Sequence, residues 1–343
     1  MTTRFRHTRI KPVVAASFPD TGQRKSNNAF SIDWVFPCGA CGWSGTLHLA
    51  TRPNCGYYHF TIGDFEATIV SDGAFVFPPQ GLVSTIPKPA LENVMKRNFE
   101  SLDAMVLANN ILFLDTGKNK VLIDTGSSNL FQPTVGRLIG NLAAADIDFI
   151  EIDTVLISHA HVDHIGGIST PDGPPAFPKA RYFISRAEHD FWKDATLDDL
   201  ENVADEDLKQ LLLDVAKDSL DKISDSLTLF EFGEELVPGI TSKDLSGHTP
   251  GMAGFDIKSG NSSLLYTADA VLNEYISIPQ PEWAHDSDMN ATKAIETRFA
   301  LLEELTRSGK MSATFHVDFP GIGHIRRDGS KYDYRPVRHR LEF

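Results

Sequence analysis

Cysteine is scarce in this sequence. The 343 residues contain 3 cysteines, all near the N-terminus, and an odd number cannot pair completely into disulfides. Cys38 and Cys41 have the spacing of redox or zinc motifs, and Cys55 with His48 or His59 could complete a small structural zinc site. Because no second Cys-x-x-Cys pair follows, the interpretation that these are idle thiols is favoured. The scarcity excludes a disulfide scaffold.

Long hydrophobic runs and excess positive charge are lacking as well. No apolar stretch approaches the roughly twenty residues of a membrane span, and the run at 12–18 is too short for a secretory signal. With 32 Lys and Arg against 46 Asp and Glu, the formal net charge is −14, which argues against a nucleic-acid-binding surface. We therefore expect a cytoplasmic protein that has a small-molecule partner and no membrane or nucleic-acid partner.

The sequence pattern divides the chain into an arm and a body. Residues 1–57 contain Pro, Gly, Asn and Ser without periodicity, so we expect an irregular N-terminal arm that wraps the body or makes a homodimer contact. Residues 58–343 alternate strand and helix patterns and are expected to form one large domain. Two strand-rich halves with helices outside predict an α/β fold, a four-layered αβ/βα sandwich.

Several individual elements are predicted from local patterns. A hairpin is expected at 111–124, with its turn at 116–119, and strands are expected at 154–158 and 236–240. Helical spacing predicts a long helical region at about 186–224. A second helix is expected at 290–309, where Gly309 is the C-cap.

Three histidines and an aspartate follow the predicted strand at 154–158. Residues 159–164 read His-Ala-His-Val-Asp-His. Imidazole and carboxylate groups are ligands for zinc and related ions, and four of them in one tight loop could not all reach one tetrahedral ion. Two ions are therefore expected. The candidate ligands in this loop are His159, His161, Asp163 and His164.

Three later residues are further candidate ligands. His248 lies in a Gly-His-Thr-Pro turn before a predicted strand, Asp269 ends a predicted strand, and His316 follows another. Each has an ordinary structural explanation when taken alone, because such residues also cap turns and helix ends. Their position at strand ends, in this order after the histidine loop, favours metal binding.

The order of these motifs resembles that of the dinuclear metallo-β-lactamase superfamily. The resemblance covers about residue 58 to the C-terminus. Within the superfamily, the tail at 315–325 and the early motifs at 63–66 and 71–73 are similar to those of methyl parathion hydrolases and related lactonases. The resemblance implies the metallo-β-lactamase sandwich, with residues 58–343 as its catalytic domain. Asp72 and Asp124 look like the superfamily's early strand-end motifs, and we expect them to orient ligand imidazoles.

The resemblance also implies a ligand set for each ion. Carried over by position, Asp269 bridges two divalent ions, with zinc expected as the metal. Asp269 and Asp163 are the candidate catalytic residues. The other ligands divide into His159, His161 and His248 for the first ion and Asp163, His164 and His316 for the second.

The substrate pocket is less clearly indicated. Phe191 and Trp192 resemble the aromatic pocket rim of parathion hydrolases, although they fit the core face of a helix equally well. Acyl homoserine lactonases of this fold have a tyrosine three residues after the bridging aspartate, where this sequence has Leu272. Tyr275 lies nearby and could substitute. The N-terminal arm has no recognised counterpart in these families.

These features predict hydrolysis by a metal-bridging hydroxide. Two neighbouring cations lower the pKa of a shared water molecule and polarise a carbonyl or phosphoryl oxygen. No Lys or Arg cluster lies near the motifs, so a neutral hydrophobic ester or lactone is the expected substrate, with phosphotriesters as promiscuous ones. The alternative is a persulfide-dioxygenase-like oxidoreductase with one iron, which shares the histidine loop. Counting metal ions per chain distinguishes the two.

Overall fold

The computed structural model describes residues 31–33, 46–48, 54–169, 173–203 and 205–338. The chain forms two compact units, Met1–Pro53 and Asn54–Phe343. In the first unit, the strands β1 (Ser31–Asp33) and β2 (Thr46–His48) pair antiparallel, within the segment predicted to be irregular. Cys38 and Cys41 lie outside the described residues. Cys55 is exposed and forms no disulfide. The zinc site of the arm and the domain boundary after residue 57 stay predictions.

The first large sheet has seven strands that are neighbours in the order of the chain. Its first four strands pair antiparallel, and the last three join in parallel. The hairpin predicted at 111–124 is present as the third antiparallel pair, formed by Met105–Asp115 and Lys120–Ile123. The strands are β3 (Tyr57–Ile62), β4 (Phe65–Phe77), β5 (Met105–Asp115), β6 (Lys120–Ile123), β7 (Thr154–Leu156), β8 (Arg181–Ser185) and β9 (Leu227–Phe230).

The second large sheet also has seven strands in chain order. All neighbours pair antiparallel except the fourth and fifth strands, which are parallel. Gly239, at φ 88°, turns the chain inside the segment 236–240, so the single strand predicted there is wrong. The strands are β10 (Glu235–Val237), β11 (Ile240–Asp244), β12 (Ala253–Ser259), β13 (Ser262–Tyr266), β14 (Met311–Ala313), β15 (Ile322–Asp328) and β16 (Lys331–Pro336).

One hydrophobic core joins the two sheets. It contains Ile69 and Val155 from the first sheet together with Phe255 and Leu264 from the second. Helices contact both sheets: α2 (Leu138–Ala144) contacts β3 and β4, α4 (Arg186–Asp194) contacts β8 and β9, and α6 (Ala291–Ser308) contacts β15. This confirms the predicted α/β sandwich. The helices are α1 (Lys88–Arg97), α2 (Leu138–Ala144), α3 (Val162–Ile165), α4 (Arg186–Asp194), α5 (Glu206–Lys222) and α6 (Ala291–Ser308).

The long helical region predicted at 186–224 is interrupted. Helix α4 ends because Ala195 is extended, with ψ 146°. The backbone N–H of Thr196 then donates a 2.8 Å hydrogen bond to Asp199, which starts a short 3₁₀ turn. Helical periodicity continues on both sides of this break, so the sequence pattern alone did not reveal it. Across the described residues, no helix is long and apolar enough to cross a membrane.

Two glycines, one directly after a helix and one inside a helix, have different backbone requirements. Gly309 follows α6 with φ 64°, in the left-handed region, as predicted for its C-cap. Gly140 lies inside α2, where an added Cβ meets no atom within 4 Å. We expect Gly309→Ala to lower the free energy of unfolding by about 1 kcal/mol and Gly140→Ala to raise it by about 0.5–1 kcal/mol. Urea unfolding measures both, and equal shifts in one direction would contradict the argument.

Candidate metal centre

The histidine loop starts where β7, the fifth of the seven strands of the first sheet, ends. Its ladder stops at Leu156, and the chain turns through His159 into the short helix α3. His161 is extended and caps that helix, whereas Asp163 and His164 lie on the helix itself. The four candidate ligands of the loop therefore fall into two pairs, one before the helix and one on it.

The three later candidate ligands come from the second sheet. His248 lies in the loop between β11 and β12, and His316 follows β14. Asp269 lies in a 3₁₀ turn, Ala268–Ala270, and not at the end of the strand as predicted, because β13 stops at Tyr266. All three side chains are buried. Both sheets thus contribute side chains to one place.

Four of the side chains form a first cluster, which contains His159, His161, His248 and Asp269. Nδ1 of His161 lies 3.2 Å from Nε2 of His159 and 3.0 Å from Nε2 of His248. Oδ2 of Asp269 is 3.2 Å from Nε2 of His248 and 3.8 Å from Nε2 of His159.

A second cluster contains Asp163, His164 and His316, and it shares Asp269 with the first. Oδ2 of Asp163 lies 3.2 Å from Nε2 of His316 and 3.4 Å from Nε2 of His164. Asp269 directs Oδ1 to His164, at 3.2 Å, and Oδ2 to His316, at 3.3 Å. The structure therefore brings all seven predicted side chains together.

The donor atoms fit two divalent ions. Zinc–nitrogen bonds of tetrahedral sites place two ligand nitrogens about 3.3 Å apart, close to the separations in the first cluster. Oδ2 of Asp163, Nε2 of His164 and Oδ1 of Asp269 are buried without a hydrogen-bond partner. Buried polar atoms are normally paired, and three that face one another require a shared cation or protons.

Charge interactions in the clusters move the pKa values in opposite directions. Burial lowers the pKa of His159 well below its ordinary value, and that of His161 to about 3. Burial also disfavours charge on His248 and His316, but the neighbouring Asp269 raises their pKa values to about 9, with Asp288 helping at His248 and Asp163 at His316. Without bound ions, the protons on His248 and His316 therefore balance the negative charge of the neighbouring aspartates.

Asp124 orients one of the imidazoles, as predicted. Its Oδ2 accepts hydrogen bonds from Nδ1 of His164 at 2.9 Å, from Ser158 at 2.8 Å and from the hydroxyl of Tyr266 at 2.7 Å. A proton on Nδ1 leaves Nε2 of His164 free to face the cluster. The hydroxyl of Ser158 also lies 3.0 Å from Nδ1 of His159. Sequence reasoning missed Ser158 and Tyr266.

The expectation that Asp72 orients an imidazole is wrong. Its carboxylate accepts hydrogen bonds from the backbone N–H groups of Ser127, at 2.8 Å, and Leu138, at 2.9 Å. Burial raises the pKa of Asp72 to about 6, against these hydrogen bonds. Asp72 thus fixes the loop before α2, and it approaches Gly126 so closely that a Cβ there would lie 2.6 Å away.

Glu188 connects the two loops that carry the first cluster, and sequence reasoning missed it. Oε1 accepts from the backbone N–H of Ala160 at 3.0 Å and from the indole of Trp192 at 2.7 Å. Oε2 accepts from the hydroxyl of Thr249 at 2.7 Å and the N–H of Gly251 at 2.9 Å. Ala160 and Thr249 each adjoin histidines of the cluster. One fully buried carboxylate therefore fixes the distance between these loops.

The predicted pocket residues occupy different environments. Trp192 is fully buried, packs edge-on against His161 at 5.8 Å between ring centroids, and faces Glu188. Leu272 is buried in a small second core. Phe191 and Tyr275 are partly buried. The pocket role of all four residues stays a prediction.

The raised pKa values generate a test of metal binding. Because His248 and His316 have pKa values of about 9, both imidazoles carry protons at pH 7, and bound ions displace them. We expect proton release on zinc binding at pH 7 and an affinity that rises with pH up to about 9. Calorimetry in two buffers of different ionisation enthalpy measures the release. An affinity that is constant between pH 6 and 9 would contradict this assignment.

Comparisons with known proteins give the same picture. The family model described as the metallo-beta-lactamase superfamily matches residues 104–306. AidC, a dizinc quorum-quenching lactonase solved with the product N-hexanoyl-L-homoserine, is 28% identical, with a TM-score of 0.80 over 83% of this chain and 99% of that chain. The hydrolase AbOPH of the beta-lactamase superfamily is 27% identical, with a TM-score of 0.79 over 84% of this chain and 100% of that chain.

A more distant structure shares the fold. A probable metal-dependent hydrolase from Staphylococcus aureus has 21% identity and a TM-score of 0.66, over 82% of this chain and 100% of that chain. The family match covers more than half of the sequence, and the two clusters are suited to a pair of divalent ions. The chain therefore belongs to the metallo-β-lactamase superfamily and is a metal-dependent hydrolase.

Proposed function

We propose that this chain hydrolyses neutral, hydrophobic esters or lactones with two divalent ions, zinc being the expected metal. The observation that supports the proposal most directly is the position of Asp269, whose carboxylate belongs to both clusters. A shared carboxylate is the arrangement that two adjacent ions need. The first ion would be held by His159, His161 and His248, and the second by Asp163, His164 and His316.

The two ions would supply Lewis acidity, which lowers the pKa of a water molecule and polarises the bond to be hydrolysed. The protein residues hold the charges that this reaction needs. Asp269 and Asp163 have pKa values that the adjacent His164 holds well below the ordinary range, against the effect of burial. Both are therefore carboxylates at neutral pH. Asp269 is the proposed acceptor of the nucleophile's proton, because it lies between the two sets of ligands.

An aromatic pair beside the second cluster supports an apolar substrate. The ring of Phe75 lies 6.1 Å from that of His316 and 4.7 Å from that of Phe131, which is 36% exposed. Gln132 fixes this loop, since its Oε1 accepts from the backbone N–H of Val76 at 3.0 Å. The ring pair offers apolar surface next to the proposed second ion.

The similarity to AidC supports a lactone with an apolar acyl chain among the ester-like candidates. At Leu272 the chain lacks the tyrosine of acyl homoserine lactonases, and the side chain of Tyr275 hydrogen-bonds to Glu100. We therefore propose lactones and simple esters as a class, with phosphotriesters as secondary substrates because the same two-ion chemistry serves them. The one-iron dioxygenase alternative is not favoured, because the second cluster has its own aspartate and two histidines.

Removal of a first-cluster ligand, or of the ligand that both clusters share, tests the proposal. We expect His161→Ala and Asp269→Ala to lower hydrolysis of aryl esters and lactones by at least about 100-fold. A panel of zinc-loaded proteins with lactones, aryl esters, lactams and phosphotriesters measures this, alongside metal content. The matched control is His324→Ala, since His324 is an exposed histidine on β15. Full activity in either ligand variant, or activity confined to lactams, would refute the proposal.

Truncation of the aromatic pair tests the substrate class. Phe131→Ala removes the exposed ring that packs on Phe75, the neighbour of His316, so we expect KM for long-chain acyl lactones to rise about 10-fold, as roughly 1–3 kcal/mol of apolar contact is lost. KM for short-chain lactones is expected to change little. Phe299→Ala, at a similarly exposed phenylalanine on α6, is the control. An equal rise for all chain lengths would count against an acyl site at this position.

A further inference from the structure

Arg298 is a fully buried arginine on α6 that the proposed reaction has not yet used. Its guanidinium has five N–H groups, and each finds an acceptor. Nε donates to the carbonyl of Ala270 at 2.9 Å, and Nη1 donates to the carbonyls of Pro281 and Trp283, both at 3.0 Å. Nη2 lies 3.0 Å from Oδ2 of Asp288 and 2.8 Å from Nδ1 of His285. Lysine, with three donors, could not satisfy this set.

Asp288 carries this contact to a proposed metal ligand. Its Oδ2 accepts from Arg298, and its Oδ1 lies 3.1 Å from Nδ1 of His248. An ionised carboxylate only accepts hydrogen bonds, so Nδ1 of His248 donates to Asp288, and Nε2 is the nitrogen that faces His161 and Asp269. The arginine thereby determines which nitrogen of His248 faces the first cluster.

His285 also contacts the guanidinium of Arg298, and it does not form a catalytic pair with Ser277. Because arginine cannot accept a hydrogen bond, Nδ1 of His285 is the acceptor and its proton lies on Nε2. Nε2 then donates to Ser277, 3.0 Å away, which also accepts the N–H groups of Leu272 and Asn273. A serine nucleophile would require the opposite proton positions. Ser277 and His285 therefore serve to hold the loop 272–277 against Arg298.

The hydrogen bond from Arg298 to Ala270 supports a second ligand of the first cluster, Asp269. Ala270 follows Asp269 directly in the 3₁₀ turn, so Arg298 also holds the backbone next to the shared carboxylate in place. The ligands specific to the second cluster have different partners. His164 is oriented by Asp124, and Nδ1 of His316 donates to the carbonyl of Ala108 at 2.9 Å.

We propose that Arg298 is the positioning residue of the first-ion site, acting through Asp288 on His248 and through Ala270 on Asp269. The proposal rests on the ligand assignment of the proposed function. It assigns Arg298 no contact with substrate. The consequence is unequal: loss of the arginine removes the support of both His248 and Asp269 at the first ion, whereas the second ion shares only Asp269 and keeps Asp163, His164 and His316 with their own partners.

Arg298→Lys tests this selectivity by metal binding, without an activity assay. We expect the first ion to bind about 10–100-fold more weakly and the second to change less than about threefold. Graded chelator competition counts zinc ions per chain, and anomalous diffraction at the zinc edge locates the one retained. The control is Arg326→Lys, whose exposed arginine pairs with Asp333 at 2.8 Å. Parallel loss of both ions, or unchanged affinities with a lower Tm, would overturn the proposal.

Asp288→Asn is the second variant, in case Arg298→Lys does not fold. Asparagine keeps an oxygen for His248 but loses the charge that pairs with Arg298, so first-ion affinity is expected to fall about 10-fold. Retention of both ions at wild-type affinity would refute the proposal. Wild-type protein that binds two ions but hydrolyses no ester or lactone would defeat the proposed function alone. Wild-type protein that binds fewer than two ions would defeat both.

Discussion

The structure depends on the close approach of acceptor atoms that repel one another. Ring nitrogens of three histidines meet at 3.0 to 3.2 Å, and two aspartates point oxygens into the same buried space. Such a cluster is unfavourable unless cations or protons lie among its lone pairs. The rigid surroundings follow from this constraint. Asp124, Asp288 and Ser158 fix the imidazoles from behind, and Glu188 fixes the two loops relative to each other.

The ligand positions could be predicted from the sequence because their signals are local. A short β-branched run followed by His-x-His-x-Asp-His specifies a strand and a ligand loop within eleven residues, and the later ligands stand beside turn residues after further strands. The end of α6 could be predicted for the same reason, because Gly309 follows its last helical residue directly. The fold class followed from the alternation of these patterns. The resemblance then supplied the grouping into two ions, which spacing alone left open.

Apart from Asp124, the supporting residues could not be predicted, because their partners are remote in the chain. Glu188 binds Ala160 and Gly251, at separations of 28 and 63 residues, and neither pairing has a local pattern. Trp192 had two equal interpretations, and the sequence pattern could not show that its side chain is fully buried. Asp72 shows the converse, since a strand-end aspartate beside a metal loop can bind backbone groups instead. Tertiary packing decides these cases.

The two sheets both contribute ligands to the clusters, which links metal binding to the stability of the fold. The histidine loop belongs to the first sheet, while His248, Asp269 and His316 belong to the second, so neither half can form the site alone. Bound ions would therefore act as a clasp between halves, adding stability in proportion to the logarithm of free metal. A cell starved of metal would lose folded enzyme together with its activity, so supply of the ion would set abundance as well as turnover.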